Sequence, residues 1–134
     1  MDYLLDTNIC IYIIKHKPKI VLDKFESYPL GSIGISSITL AELQYGIYKS
    51  TNPDQNLEAL NQFIIPLEVL DFDYNATMQY GQIRAKLEKQ GTPIGPFDTL
   101  IGAHAMSLGL TLVTNNEKEF KRIEGLKVEN WTKE

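Results

Sequence analysis

The chain opens Met1-Asp2-Tyr3-Leu4-Leu5-Asp6-Thr7-Asn8-Ile9, and the placement of Asp6 in this stretch governs how the rest is read. Tyr3–Leu5 is an apolar run of strand length, and the apolar spacing over residues 8–15 is helical. Asp6 therefore falls where a predicted strand ends and a helix begins. An aspartate there can act as an N-cap, but Thr7 or Asn8 alone would serve that purpose. Placing a carboxylate directly after Leu4-Leu5 is the costlier choice, because a buried ion needs a compensating partner.

Outward from Asp6, apolar runs keep alternating with amphipathic stretches. Residues 32–36, 67–72, 110–114 and 126–128 read as further strands, and residues 19–26, 38–49, 54–64, 74–90 and 98–108 as further helices. Asp54 follows the Asn52-Pro53 breaker as a cap, Asp73 begins the long helix, and Gly91 and Gly109 stop the two that precede them. Strands separated by helices require crossover connections. The expected fold is therefore α/β, with a mainly parallel central sheet flanked by helices in three layers. Ligands of such sheets sit beyond the carboxyl ends of the strands.

At 134 residues the sequence is read as one domain over 1–134, with an ordinary apolar fraction of 43%. No stretch approaches the roughly 20 apolar residues that cross a bilayer. Residues 9–14 are too short for that, and the acids before them and Lys15-His16-Lys17 after them reverse the charge order of a signal peptide. Cys10 is the only cysteine, which excludes an internal disulfide and fits a reducing cytoplasm. A net charge of −4 excludes a protein coated in phosphate-binding lysines. Local basic groups remain, among them Arg84 and Lys86 on the long helix, which are the candidates for contact with a phosphate backbone.

Two more carboxylates stand in settings like that of Asp6. Glu42 follows the run Ile33–Ile38, and Asp98 follows Gly95-Pro96-Phe97. Each has an ordinary reading. Thr39-Leu40-Ala41-Glu42 matches a capping box, and Asp98 suits a helix N-terminus. Against the first, Ser36 and Ser37 directly follow the strand and make better caps, which puts Glu42 a full turn into its helix. Asp98 lies beside the apolar stripe of its helix, where Gly102 leaves room near the carboxylate. His104 sits 240° around that helix from Asp98 and cannot share its face, so it is read as surface or internally satisfied. Three acids without basic neighbours suggest that a cation is the missing partner. Hard oxygen donors of this kind suit Mg²⁺ or Mn²⁺.

Four segments in order carry a family resemblance: Leu4-Leu5-Asp6-Thr7-Asn8, Ser36-Ser37-Ile38-Thr39-Leu40-Ala41-Glu42-Leu43, Pro96-Phe97-Asp98 and Val113-Thr114-Asn115-Asn116. Together with Gln82-Ile83-Arg84-Ala85 and Glu129-Asn130-Trp131 they resemble the PIN-domain ribonucleases, and among these the VapC toxins of toxin–antitoxin pairs. The resemblance implies a metal-dependent endoribonuclease that cuts structured RNA, notably a tRNA anticodon loop, and so halts translation. It implies that Asp6, Glu42 and Asp98 are catalytic and hold Mg²⁺ or Mn²⁺, and that the products carry a 5′-phosphate and a 3′-hydroxyl. Thr7 and Thr114 would support the site. Asn116 occupies the position where many relatives carry a fourth acid, a departure that bears on a second ion. The resemblance further implies a homodimer, a hetero-oligomer with a VapB-type antitoxin lying across the active-site groove, and no membrane partner. Ile9, Tyr12 and Ile13 are residues that such a partner could cover.

Two alternatives belong to other classes. A receiver-like signalling domain would place its phosphoacceptor at Asp71, with Thr114 and Lys118 as switch residues, but Asp6 lacks the neighbouring acid that its Mg²⁺ pocket needs. A non-catalytic RNA-binding module would bind RNA without cutting it when the metal is supplied.

Overall fold

In the computed structural model, which describes residues 1–133, the strands are β1 (Tyr3–Leu5), β2 (Ile33–Ser36), β3 (Glu68–Leu70), β4 (Thr111–Val113) and β5 (Val128–Glu129). They form one sheet in the order β3-β2-β1-β4-β5, and every pairing is parallel. The helices are α1 (Thr7–Lys15), α2 (Lys19–Glu26), α3 (Ser37–Tyr48), α4 (Pro53–Ile64), α5 (Tyr74–Lys89), α6 (Pro96–Leu108) and α7 (Glu117–Phe120). None is long and apolar enough to cross a membrane.

Alternation along the strands divides the core in two. Leu5, Ile35 and Val113 join Ile9, Ile13, Leu60, Phe63 and Trp131 on one face of the sheet. Leu4 and Leu112 point the other way, to Ile101, Ala105, Phe120 and Ile123. Adjacent residues of one strand thus feed opposite layers, the expected three-layer plan. Because all strands run parallel, their carboxyl ends open at one edge, with β1 central.

The strand over 67–72 is shorter than expected. β3 is an edge strand with a single neighbour, and Glu68 and Val69 are exposed. The helix containing Asp98 begins earlier, at Pro96, whose missing N–H costs nothing at a first helical position. Likewise Asn52 rather than Asp54 holds the cap position of α4, with Pro53 as its first residue. Asp73 caps α5 as expected, accepting from the Ala76 N–H at 3.0 Å. α7 was not expected, since four residues are too short to show a helical period. It and the following turn fill the space beside Gly102, where an added Cβ would come within 2.6 Å of Ile123 Cδ1. Gly102 therefore admits a close packing contact and leaves no room at the carboxylate.

A carboxylate cluster at the carboxyl ends of the strands

Asp6 is the hinge between β1 and α1 and is only 5% exposed. One carboxylate oxygen accepts from the Ile9 N–H at 2.9 Å, so Asp6 does cap α1. The other accepts from the Thr114 hydroxyl, delivered by the end of the neighbouring strand β4. Burial pushes the Asp6 carboxyl up to about 6; the Thr114 and Ile9 hydrogen bonds oppose that shift, and the Glu42 charge adds to it.

Glu42 reaches the same region from α3. Ser36 is the cap of that helix, its hydroxyl accepting from the Ile38 N–H at 3.0 Å. No capping box forms, and the buried Thr39 hydroxyl has no hydrogen-bond partner. Glu42 is therefore free of a capping role. Its Oε1 accepts from the Thr7 hydroxyl at 2.7 Å, which ties α3 to the first turn of α1. The Ser36 hydroxyl also meets His104 Nδ1 at 2.8 Å. His104 is buried and internally satisfied, and burial holds its pKa below the usual histidine range.

Asp98 lies half-buried in the first turn of α6. Its carboxyl is also pushed up to about 6, first by burial and then by Glu119, Asp6 and Glu42. Three elements distant in sequence thus bring the three expected acids into electrostatic contact.

The structure adds a fourth acid. Glu119 on α7 accepts from the Gly95 N–H at 2.9 Å and from the Asn116 side-chain amide at 2.7 Å. A Cβ built on Gly95 would stand 3.9 Å from Asp98 Oδ2 and 3.9 Å from Glu119 Oε1, so both acids border the same glycine. The Gly95 N–H chiefly, with Asn116 and Arg122 after it, holds the Glu119 carboxyl below its usual range. The amide at Asn116 is therefore the support of the fourth acid, which lies three residues on. The sequence carried a signal for this: a helical turn starting at Asn116 returns position 119 to the same side.

Among the described residues, none of Asp6, Glu42, Asp98 and Glu119 has a Lys, Arg or His nitrogen within 4.0 Å. Nor, among those residues, do three acid, His or Cys side chains already close around one point as a complete metal shell. The donor set nevertheless suits a hard divalent cation, since Mg²⁺ keeps several waters and takes only one or two carboxylates directly.

The basic candidates are differently placed. Arg84 pairs with Glu88 at 3.2 Å and donates to the Tyr80 hydroxyl at 2.7 Å. It lines a cavity of about 250 Å³ with Pro96 and Thr99 of the first turn of α6. Lys86 pairs with Glu124. Ile9 and Ile13 are core residues, so they present nothing to a partner; Tyr12 alone is half-exposed, its hydroxyl accepting from Asn115 at 3.0 Å. An apolar groove of about 320 Å³ does reach Glu42, walled by Ile11, Ile14, Leu43, Ile47 and Leu60. Asp71, the phosphoacceptor of the receiver reading, follows the edge strand β3 and is exposed, whereas the acid cluster is built on β1 and its neighbours.

A PIN domain family model matches residues 3–126. The tRNA(fMet)-specific endonuclease VapC of Shigella flexneri is 48% identical over 132 residues, covering 98% of this chain and 99% of that protein. Among solved structures, VapBC2 from Rickettsia felis bound to a DNA fragment from its promoter superposes with a TM-score of 0.92 at 47% identity, covering 98% of this chain and 99% of the other. DNA-bound VapBC from Salmonella typhimurium superposes with a TM-score of 0.92 at 49% identity, covering 98% of each chain.

Proposed function

The chain belongs to the PIN-domain family and, within it, to the VapC ribonucleases, and we propose that its single domain is an endoribonuclease toxin that cuts tRNA in the cytoplasm to arrest translation. The observation that carries this reading is the cluster of four carboxylates from β1, α3, α6 and α7 without a cationic side chain among them.

Asp6, Glu42 and Asp98 are the catalytic acids and, with Glu119, the residues that would hold a divalent ion, Mg²⁺ or Mn²⁺. When bound, such an ion supplies positive charge at the scissile phosphate and lowers the pKa of the attacking water. The chain's own contribution is preorganisation. The Thr114 hydroxyl and the Ile9 N–H fix the direction of Asp6, the Thr7 hydroxyl fixes Glu42, and the Gly95 N–H with Asn116 fixes Glu119. Water attacks phosphorus and the 3′ oxygen departs, leaving a 5′-phosphate and a 3′-hydroxyl. A single-stranded loop suits such a site, because its bases are unstacked and its backbone is free to bend toward the carboxylates. Arg84 and Lys86 contact flanking phosphates after exchanging their present carboxylate partners.

A VapB-type antitoxin silences the enzyme by seating an apolar segment in the groove that ends at Glu42. The toxin also pairs with a second copy of itself, for which the exposed Tyr74 and Met78 of α5 are available. The test is incubation of the purified chain with initiator tRNA, with Mg²⁺, Mn²⁺ or a chelator, followed by sequencing of the RNA ends. Ion-dependent cuts with 5′-phosphates are expected, and they should vanish in Asp6→Asn and Asp98→Asn. RNA that is bound but left intact with either ion would overturn the nuclease reading in favour of a binding module.

A further inference from the structure

Phe97 is an expense that the fold does not explain. It lies between Pro96 and Asp98 in the first turn of α6, 52% exposed, and belongs to neither apolar core. Among the described residues it packs on no other ring, whereas Tyr28 stacks on Trp131 and Tyr3 meets both at an angle. The turn that carries it is held firmly. Pro96 restricts the backbone, the Thr99 hydroxyl and N–H both donate to the Gly95 carbonyl at 2.8 and 2.9 Å, and the Gly95 N–H is held by Glu119. An exposed ring with no aromatic partner among the described residues is thus carried on a firmly held turn, one residue from Asp98.

Resting on the nuclease reading above, we infer that Phe97 is a stacking platform for one unpaired nucleobase of the RNA, next to the phosphate that is cut. Phenylalanine has no hydrogen-bonding group with which to read a base edge, but every base offers a π face. The platform therefore sets register rather than identity: clamping one base determines which phosphate lies over the carboxylates. A base laid on this ring would cover an otherwise exposed apolar surface and exclude water from it. The held turn keeps the ordering cost low, because the backbone that carries the ring is already in place before RNA arrives.

The experiment uses the full chain, as wild type, Phe97→Ala and Phe97→Trp, with initiator tRNA transcripts carrying a single abasic residue at each anticodon-loop position in turn. Folding is checked by thermal melting, which an exposed ring outside both cores should leave unchanged. Phe97→Ala should lower kcat/KM by roughly ten- to a hundredfold, mostly through KM, and spread the cuts to neighbouring phosphates. Phe97→Trp should restore both rate and register. One abasic position should slow the wild type by a comparable factor and leave Phe97→Ala unaffected. Equal cleavage by wild type and Phe97→Ala, or abasic sites that slow both equally, would overturn the platform alone. So would unchanged cleavage accompanied by a loss of dimer or of antitoxin affinity, which would assign the ring to a protein contact. A wild type that cuts no RNA overturns the nuclease reading, and the platform with it.

Discussion

Glu117 and Glu119 lie two residues apart on α7, and both carboxyls are held below their usual range, but by different partners. Glu117 faces Lys133 at 2.9 Å and Lys121 at 3.8 Å and accepts from the Asn130 amide at 3.0 Å. Those partners, the hydrogen bond from Lys133 first, hold its carboxyl below the usual range. Glu119 borders Asp98 instead, and it is the Gly95 N–H and the Asn116 amide that bond it, with the Arg122 charge a lesser influence. Some surface carboxylates are matched in the same way as Glu117, Glu88 by Arg84 and Glu124 by Lys86, while Asp6, Glu42, Asp98 and Glu119 have no lysine or arginine nitrogen within 4.0 Å among the described residues. A pairing that neutralises a surface acid would occupy the very oxygens that the proposed site needs, and the pKa values of Asp6 and Asp98, raised chiefly by burial, set them apart from the exposed acids.

The sharpest way to break this comparison is to neutralise one acid from each region. Asp6→Asn or Asp98→Asn should lower kcat/KM toward tRNA by about a thousandfold or more, whereas Glu117→Gln should leave it essentially unchanged. Equal losses in the two regions would show that the distinction carries no chemistry. Next in size is the support of the fourth acid. Glu119→Gln and Asn116→Ala should each weaken the apparent affinity for Mg²⁺ by about ten- to a hundredfold, with activity recovered at higher Mg²⁺; a titration of cleavage rate against ion concentration reads this directly.

A third measurement concerns stability. The Asp6 carboxyl lies at about 6 in the fold against 3.8 in an unfolded chain. The folded state therefore binds the proton more tightly, and stability falls as pH rises from about 4 to about 6. Asp6→Asn, which keeps an acceptor for the Ile9 N–H, should be more stable than wild type by about 1–3 kcal/mol at pH 7 in chelator. The difference should close below pH 4, as urea melts at the two pH values would show. The smallest effect belongs to the paired region. Lys133→Ala should cost at most about 1 kcal/mol at pH 7. Because the folded pKa of Glu117 is depressed, that contribution should shrink as pH falls through the carboxylate range.

Much of the architecture was legible in the sequence, because strand and helix periods differ and Asp, Pro and Gly mark their ends. Asp6, Glu42 and Asp98 stood out because an acid beside an apolar run is costly wherever it occurs. Three features were less accessible. α7 is too short to display a period, so Glu119 was passed over in favour of Asn116. Arg84 and Lys86 advertise positive charge in sequence, but Arg84 lies against Glu88 one turn on along the same helix and Lys86 against Glu124, which only folding brings near. Ile9 and Ile13 look available on a helix considered alone, and become core once β2, β4 and α4 close over them.

The sequence by itself therefore determined the alternation of strands and helices, the parallel sheet that follows from it, and three of the four acids, since each rests on local patterning. Tertiary structure alone decided which acids share a space. Asp6 meets Thr114 across 108 positions of chain, and Glu42 meets Thr7 across 35. Such encounters depend on strand order and on the packing of α3, α6 and α7, which short-range periodicity does not encode. The fourth acid and the exposed ring of Phe97 acquire meaning only there, because coulombic repulsion and stacking depend on distance in space.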